Sequence, residues 1–118
     1  MGCEVDLAWA SGLFEGEGSV GTRKTRFNSH GGTDCQVAIE MFDEEPIRKV
    51  ASIMAVGKVY GPYKRETGYS WKWAAVSKNE ILYVYDKLSS YLSMKRKREF
   101  NKVLKILENV EARKIVRM

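Results

Sequence analysis

Residues 9–19, WASGLFEGEGS, impose more on the fold than any other segment. Asp6 can cap a helix, and Leu7, Ala10, Leu13 and Phe14 share one face of it with Trp9 at the edge, so the spacing predicts a helix over residues 6–15. Gly12 and Gly16 stand four apart and therefore on one face, which lets another backbone approach closely. In a soluble protein such a flat face serves a helix that packs against its own kind. Glu15 and Glu17 place two carboxylates at the C-terminal end, where the helix dipole disfavours negative charge. That arrangement costs stability unless a cation or a function compensates it. Gly16-Glu17-Gly18 ends the helix, and Gly18-Ser19 turns the chain sharply into a strand.

From Ser19 to Phe27, Val20, Thr22 and Lys24 alternate with Gly21, Arg23 and Thr25, a strand with one polar, basic face. Residues 28–34, NSHGGTD, have turn chemistry, and Cys35–Met41 alternates again with Val37 and Ile39 inward, which predicts a hairpin. Asp43-Glu-Glu-Pro46 is a helix start, continued at helical spacing to Gly57. A third strand begins at Val59-Tyr60. A fourth covers Tyr69–Val76, with Tyr69, Trp71 and Trp73 on one side and Ser70, Lys72 and Ala74 on the other. Ser77 caps a helix running to Leu92, and residues 95–116 form a last one. The expected class is α+β, one domain in the order α-β-β-α-β-β-α-α, with a four-stranded antiparallel sheet and helices on one face.

The 118 residues suit a single core. No apolar run is long enough to span a bilayer and no leader pattern opens the chain, so no membrane partner is expected. Two cysteines, Cys3 and Cys35, and one histidine, His30, lack ligand spacing, which argues against a disulfide scaffold, a zinc site or a histidine triad. The expected location is inside the cell, in the cytoplasm or an organelle. Residues 1–86 carry ten Lys/Arg against twelve Asp/Glu, whereas residues 87–118 carry ten against three. That asymmetry points to a polyanionic partner, nucleic acid ahead of a membrane surface.

The segment Ala10–Gly18 resembles the signature of the LAGLIDADG homing endonucleases position for position, with Ala for the first Leu, Ser for Ala and Glu for both Asp. Residues 37–54 look like the family's second strand and acid-capped helix, and residues 55–59 like its lead into the third strand. Tyr91-Leu92-Ser-Met-Lys-Arg-Lys97 is similar to the segment that delivers a basic residue to the active site. One extra residue follows Lys95, so Lys95, Arg96 and Lys97 are alternatives for that position.

One motif in a chain of this length implies, by the resemblance, a homodimer whose motif helices pair through Gly12 and Gly16, with Trp9 and Leu13 alongside. The pairing brings Glu17 of each copy to the two-fold axis, where Glu17 and the backbone of Gly16 would hold a divalent metal, Mg²⁺, with no organic cofactor. The implied activity is hydrolysis of one phosphodiester in each strand of a long pseudo-palindromic double-stranded DNA site, with Glu17 and Lys95 catalytic. DNA would be read by the outward strand residues Arg23, Thr25, Arg26, Asp34, Gln36, Lys58, Tyr60, Lys64, Ser70 and Lys72. Arg96 and Lys97 would anchor phosphates. Trp71 and Trp73 read as core. The family's water-ordering polar position falls on Met41, with Glu40 one place earlier, and Met41 leans toward the alternative: a non-cleaving nucleic-acid-binding module, or an intron RNA maturase, on the same fold.

Overall fold

A computed structural model describes residues 4–23 and 34–116. Helix α1 (Glu4–Glu17) leads directly into strand β1 (Gly18–Arg23), which pairs antiparallel with β2 (Asp34–Met41). Helix α2 (Glu44–Met54) starts at Asp43, whose side chain accepts from the Glu45 backbone N–H. Strands β3 (Lys58–Arg65) and β4 (Gly68–Ala75) form the second hairpin. Helix α3 (Lys78–Leu88) opens on a reciprocal cap between Ser77 and Glu80. It ends in a 3₁₀ turn (Ser89–Tyr91), and α4 (Met94–Val116) is the last described element. The predicted continuous helix to Leu92 thus stops early, at Leu88, and tightens into that turn. No helix among the described residues is long and apolar enough to cross a membrane.

The sheet order is β1-β2-β4-β3, so the two hairpins join through their second strands. Period-two alternation then sorts the residues. Val37, Ile39, Trp73 and Ala75 point into a core completed by Ala10, Phe14, Ile47, Val50, Met54, Ile81, Val84, Leu88, Phe100 and Val103 from the helices. The expected α+β class, with helices on one face, is the observed one. The Trp73 indole N–H donates to the Val56 carbonyl at 2.9 Å, and Trp71 packs half-buried beside it, so both belong to the core side as expected.

Phe14 and Phe100 are fully buried with ring centroids 5.6 Å apart, and Tyr85 stacks on Phe100 at 5.0 Å. This aromatic column fastens α1 to α3 and α4; each fully buried ring contributes about 1.5–3 kcal/mol. It also explains Gly18, because a Cβ there would overlap the Phe14 ring and its carbonyl. The chain can turn from helix to strand against that ring only without a side chain.

Candidate nucleic-acid interface and acid site

The open face of the sheet collects Gln36 and Glu40 from β2, Ser70 and Lys72 from β4, and Lys58 and Tyr60 from β3. Glu40 faces Lys72, which in turn faces Tyr60, in one row across three strands. Lys58, Tyr60 and Lys72 therefore stand where the alternation predicted. Gln36 is half-buried, and its Oε1 has no hydrogen-bond partner among the described residues. Arg23 and Asp34 are register partners at the far end of the β1–β2 pair. Thr25 and Arg26 lie outside the described residues.

Two of the expected readers are placed differently. A bulge between Tyr60 and Tyr63 shifts the β3–β4 register, so that Tyr63 faces Ser70, Lys64 faces Tyr69 and Arg65 faces Gly68. Lys64 consequently shares the side of Tyr69 and Trp71 rather than the open face, and Arg65 takes its place there. The signal was Gly61-Pro62. Gly61 has φ +120°, and a Cβ there would stand 2.8 Å from the Ser70 carbonyl. Ser70 is on the open side but has no exposed surface. Its hydroxyl donates to Glu40 Oε2 at 2.6 Å and accepts from Arg65 Nε at 3.1 Å, while Arg65 Nη2 donates to the same Oε2 at 2.6 Å. The Ser70 hydroxyl holds the Glu40 carboxyl below the usual carboxylate range, with Arg65 reinforcing it against partial burial.

At the end of α1 the two acids separate. The Glu15 carboxylate accepts from the Ser93 backbone N–H at 2.8 Å and from the Ser93 hydroxyl at 2.9 Å. Ser93 Oγ also accepts from the Arg96 backbone N–H at the start of α4. Arg96 turns inward, with Nη2 donating to the Glu15 carbonyl at 3.0 Å, Nη1 to Glu99 at 2.9 Å, and the guanidinium 5.4 Å from the Phe14 ring centre. These bonds, the Ser93 N–H foremost, lower the Glu15 pKa. Arg96, expected at phosphates, is instead spent on joining α4 to α1, with its side chain 13% exposed. Lys95 is exposed beside it, and Lys97 is half-buried. Glu17 is exposed and makes no hydrogen bond or ion pair among the described residues.

Gly12 and Gly16 are also exposed, and no atom lies within 4 Å of where a Cβ would stand on either. Nothing among the described residues of the protomer requires glycine at these positions. Trp9 and Leu13 flank them half-buried, with Lys49 Nζ 4.0 Å from the Trp9 ring centre. Met41 packs on the core side, so it offers nothing polar to the open face.

No family model and no curated protein sequence matches this chain. Solved structures do. The homing endonuclease I-CvuI in complex with its target aligns at TM-score 0.75 and 18% identity, covering 93% of this chain and 70% of that one. The homing endonuclease I-TnaI aligns at 0.69 and 18%, covering 95% and 76%. The LAGLIDADG meganuclease I-CpaMI bound to uncleaved DNA aligns at 0.70 and 19%, covering 90% of this chain and 39% of that one. The chain has the LAGLIDADG homing endonuclease fold. Within that fold, Glu17 ends α1, Lys95 lies in the first turn of α4, and Lys58, Arg65 and Lys72 occupy the open face of the sheet.

Proposed function

We propose that the chain is a single-motif LAGLIDADG endonuclease, acting as a homodimer on a pseudo-palindromic DNA duplex and hydrolysing one phosphodiester in each strand. The observation that carries this is Glu17: an exposed acid without a partner among the described residues, at the end of a helix whose Gly12 and Gly16 have none of those residues against them. Pairing that face with its copy about a two-fold axis would cover Gly12 and Gly16 and bring both Glu17 carboxylates together. Solved structures with this fold include complexes with DNA in the presence of Mg or Ca, which supports the same partner and ion class here.

The donor set suits a hard divalent cation. One protomer has no cluster of three or more His, Cys, Asp or Glu among the described residues. Glu17 from each copy and the Gly16 carbonyl, with water and phosphate oxygens, match the preference of Mg²⁺ for few protein ligands. When bound, such a cation supplies an activated water and offsets charge on the phosphate. The chain's own contribution is positioning. Glu15 ties Ser93 and Arg96 to the end of α1, and so keeps Lys95 at the end of the molecule where Glu17 stands. The Lys95 ammonium would oppose the charge that builds on the phosphate oxygens.

Glu17→Gln tests the assignment on a duplex recovered from a randomised pool, with binding measured in Ca²⁺ and cutting in Mg²⁺. Binding should persist, while cutting falls on the order of 10²–10³-fold or more. Undiminished cutting would remove Glu17 from the site. Met41 favours a second reading, a non-cleaving nucleic-acid-binding module or maturase, because it puts an apolar side chain, packed against the core, at the end of β2 where a polar one would order a water. Tight binding by the wild type with no cutting on its own selected site would decide for that reading.

A further inference from the structure

Arg65 belongs to no motif, yet among the described residues it is the most firmly held cation on the open face of the sheet. Its Nε and Nη2 donate to Ser70 and Glu40, Ser70 closes the ring by donating to the same Glu40 oxygen, and the Tyr63 ring lies 5.3 Å from the guanidinium carbon. One edge of the guanidinium is thereby fixed, while the side chain remains 46% exposed. The opposite edge, Nη1 and the second hydrogen of Nη2, has no protein acceptor among the described residues.

We propose that Arg65, oriented by Glu40 and Ser70, reads a guanine in each half-site, at a base pair close to the two-fold centre. The inference rests on the DNA-binding reading above. Guanine presents O6 and N7 side by side in the major groove, and the free edge of a guanidinium matches them with two parallel N–H bonds. An arginine held in advance loses less conformational freedom when it makes those bonds than a loose one does. Glu40 supports the assignment by its sign. A carboxylate on a face that meets phosphates weakens binding to every sequence, so its presence is accounted for by what it does to Arg65. Lys72 stands opposite Glu40 and offsets part of that repulsion.

The position along the site is set by register. Gly18 faces Ile39, and Glu40 is the next residue, so the Glu40–Ser70–Arg65 ring lies at the end of the sheet where β1 leaves Glu17. Arg23 and Asp34 pair at the other end. If the two Glu17 carboxylates mark the centre of the DNA site, Arg65 reaches inner base pairs, while the Arg23–Asp34 end of the β1–β2 pair lies toward the outer ones.

Binding to a randomised duplex pool in Ca²⁺, followed by sequencing, tests this with wild type, Arg65→Lys, Glu40→Gln, Arg65→Ala and the Arg65→Ala/Glu40→Gln double variant. The wild type should enrich guanine at one inner position of each half-site. Arg65→Lys and Glu40→Gln should each lower that preference by about tenfold. Glu40→Gln should meanwhile bind the pool as tightly as the wild type, or more tightly. In the Arg65→Ala background, Glu40→Gln should leave the base profile unchanged, since the carboxylate acts through the guanidinium. An unaltered profile in Arg65→Lys and Glu40→Gln, or equal weakening across all sequences, would overturn the inference while leaving DNA binding intact. A wild type that binds no duplex DNA would overturn the function and this inference with it.

Discussion

One side of α1 presents Ala10, Ser11 and Phe14 to the core with almost no exposed surface, whereas the other carries Gly12 and Gly16 with empty space where their side chains would begin. The same contrast is repeated at the end of the helix. Glu15, on the anchored side, is bonded to Ser93 and paired with Arg96; Glu17, two residues on, has no partner among the described residues. A carboxylate at a helix C-terminus is unfavourable in isolation. For Glu15 the compensation is internal, because Ser93, just before α4, brings its backbone N–H and hydroxyl to it, and Arg96 a guanidinium. For Glu17 no internal compensation exists among the described residues, and the proposed divalent cation would supply it. Perturbing each side in turn separates structure from function.

The largest effect on the folded protomer belongs to the anchored side. Phe14→Ala removes one ring of the aromatic column with Phe100 and Tyr85 and should cost about 3–5 kcal/mol of unfolding free energy. Chemical denaturation read by circular dichroism measures it. A loss below about 1 kcal/mol would mean that the column does not hold α1 to α3 and α4.

The next effect is smaller and depends on pH. Glu15→Gln keeps the shape but removes the charge that faces Ser93 and Arg96. Charge-assisted bonds contribute about 1.5–3 kcal/mol. With the Glu15 side chain 37% exposed, screening reduces the expected loss to about 1 kcal/mol near neutral pH. Linkage gives the sign. The Glu15 pKa is lowered by folding, so the unfolded chain binds the proton more readily, and the stabilisation present above the usual carboxylate range is lost as pH falls through the folded-state value. Glu40 and Glu80 are lowered too. In Glu80 burial opposes the shift, but N–H donors from Gly57, Ser77 and Val76 outweigh it. The wild type should therefore lose stability progressively below about pH 4.5, and Glu15→Gln should converge on it there. Parallel curves for the two proteins across that range would show that Glu15 is not the link between α1 and α4.

The order and faces of the elements were readable in the sequence because each rests on local signals. Asp43 and Ser77 cap as expected, and Trp71 and Trp73 fall on the core side of β4. What escaped was whatever depends on contacts distant in sequence or on a single inserted residue. Glu15 and Ser93 are 78 positions apart, and no spacing rule could tell Glu15 from Glu17. Arg96 read as one more charge in a basic run until the fold placed it against the Glu15 carbonyl. Lys64 and Arg65 stand on the faces opposite to those strict alternation gives, because the register slips at Gly61-Pro62. The basic side of the candidate site was thus legible as a composition and only partly as a set of residues.

The smallest effect on the protomer has the opposite sign, and that sign separates the open side from the anchored one. Glycine inside a helix is about 0.8–1 kcal/mol less favourable than a good helix former such as leucine. Since nothing lies within 4 Å of a Cβ at position 12, Gly12→Leu should leave the isolated protomer slightly more stable, by about 0.5–1 kcal/mol. In a dimer paired through this face, the same side chain stands where the partner's backbone must come. The wild-type melting temperature should then rise with protein concentration, as association with the folded state requires, whereas that of Gly12→Leu should not depend on concentration. Sedimentation at micromolar concentration should give a dimer for the wild type and a monomer for the variant, and the variant should lose its affinity for a two-fold DNA site. A wild type that sediments as a monomer with a concentration-independent melting temperature would leave Gly12 and Gly16 as an unexplained cost to α1, and the pairing of the two Glu17 carboxylates would fall with it.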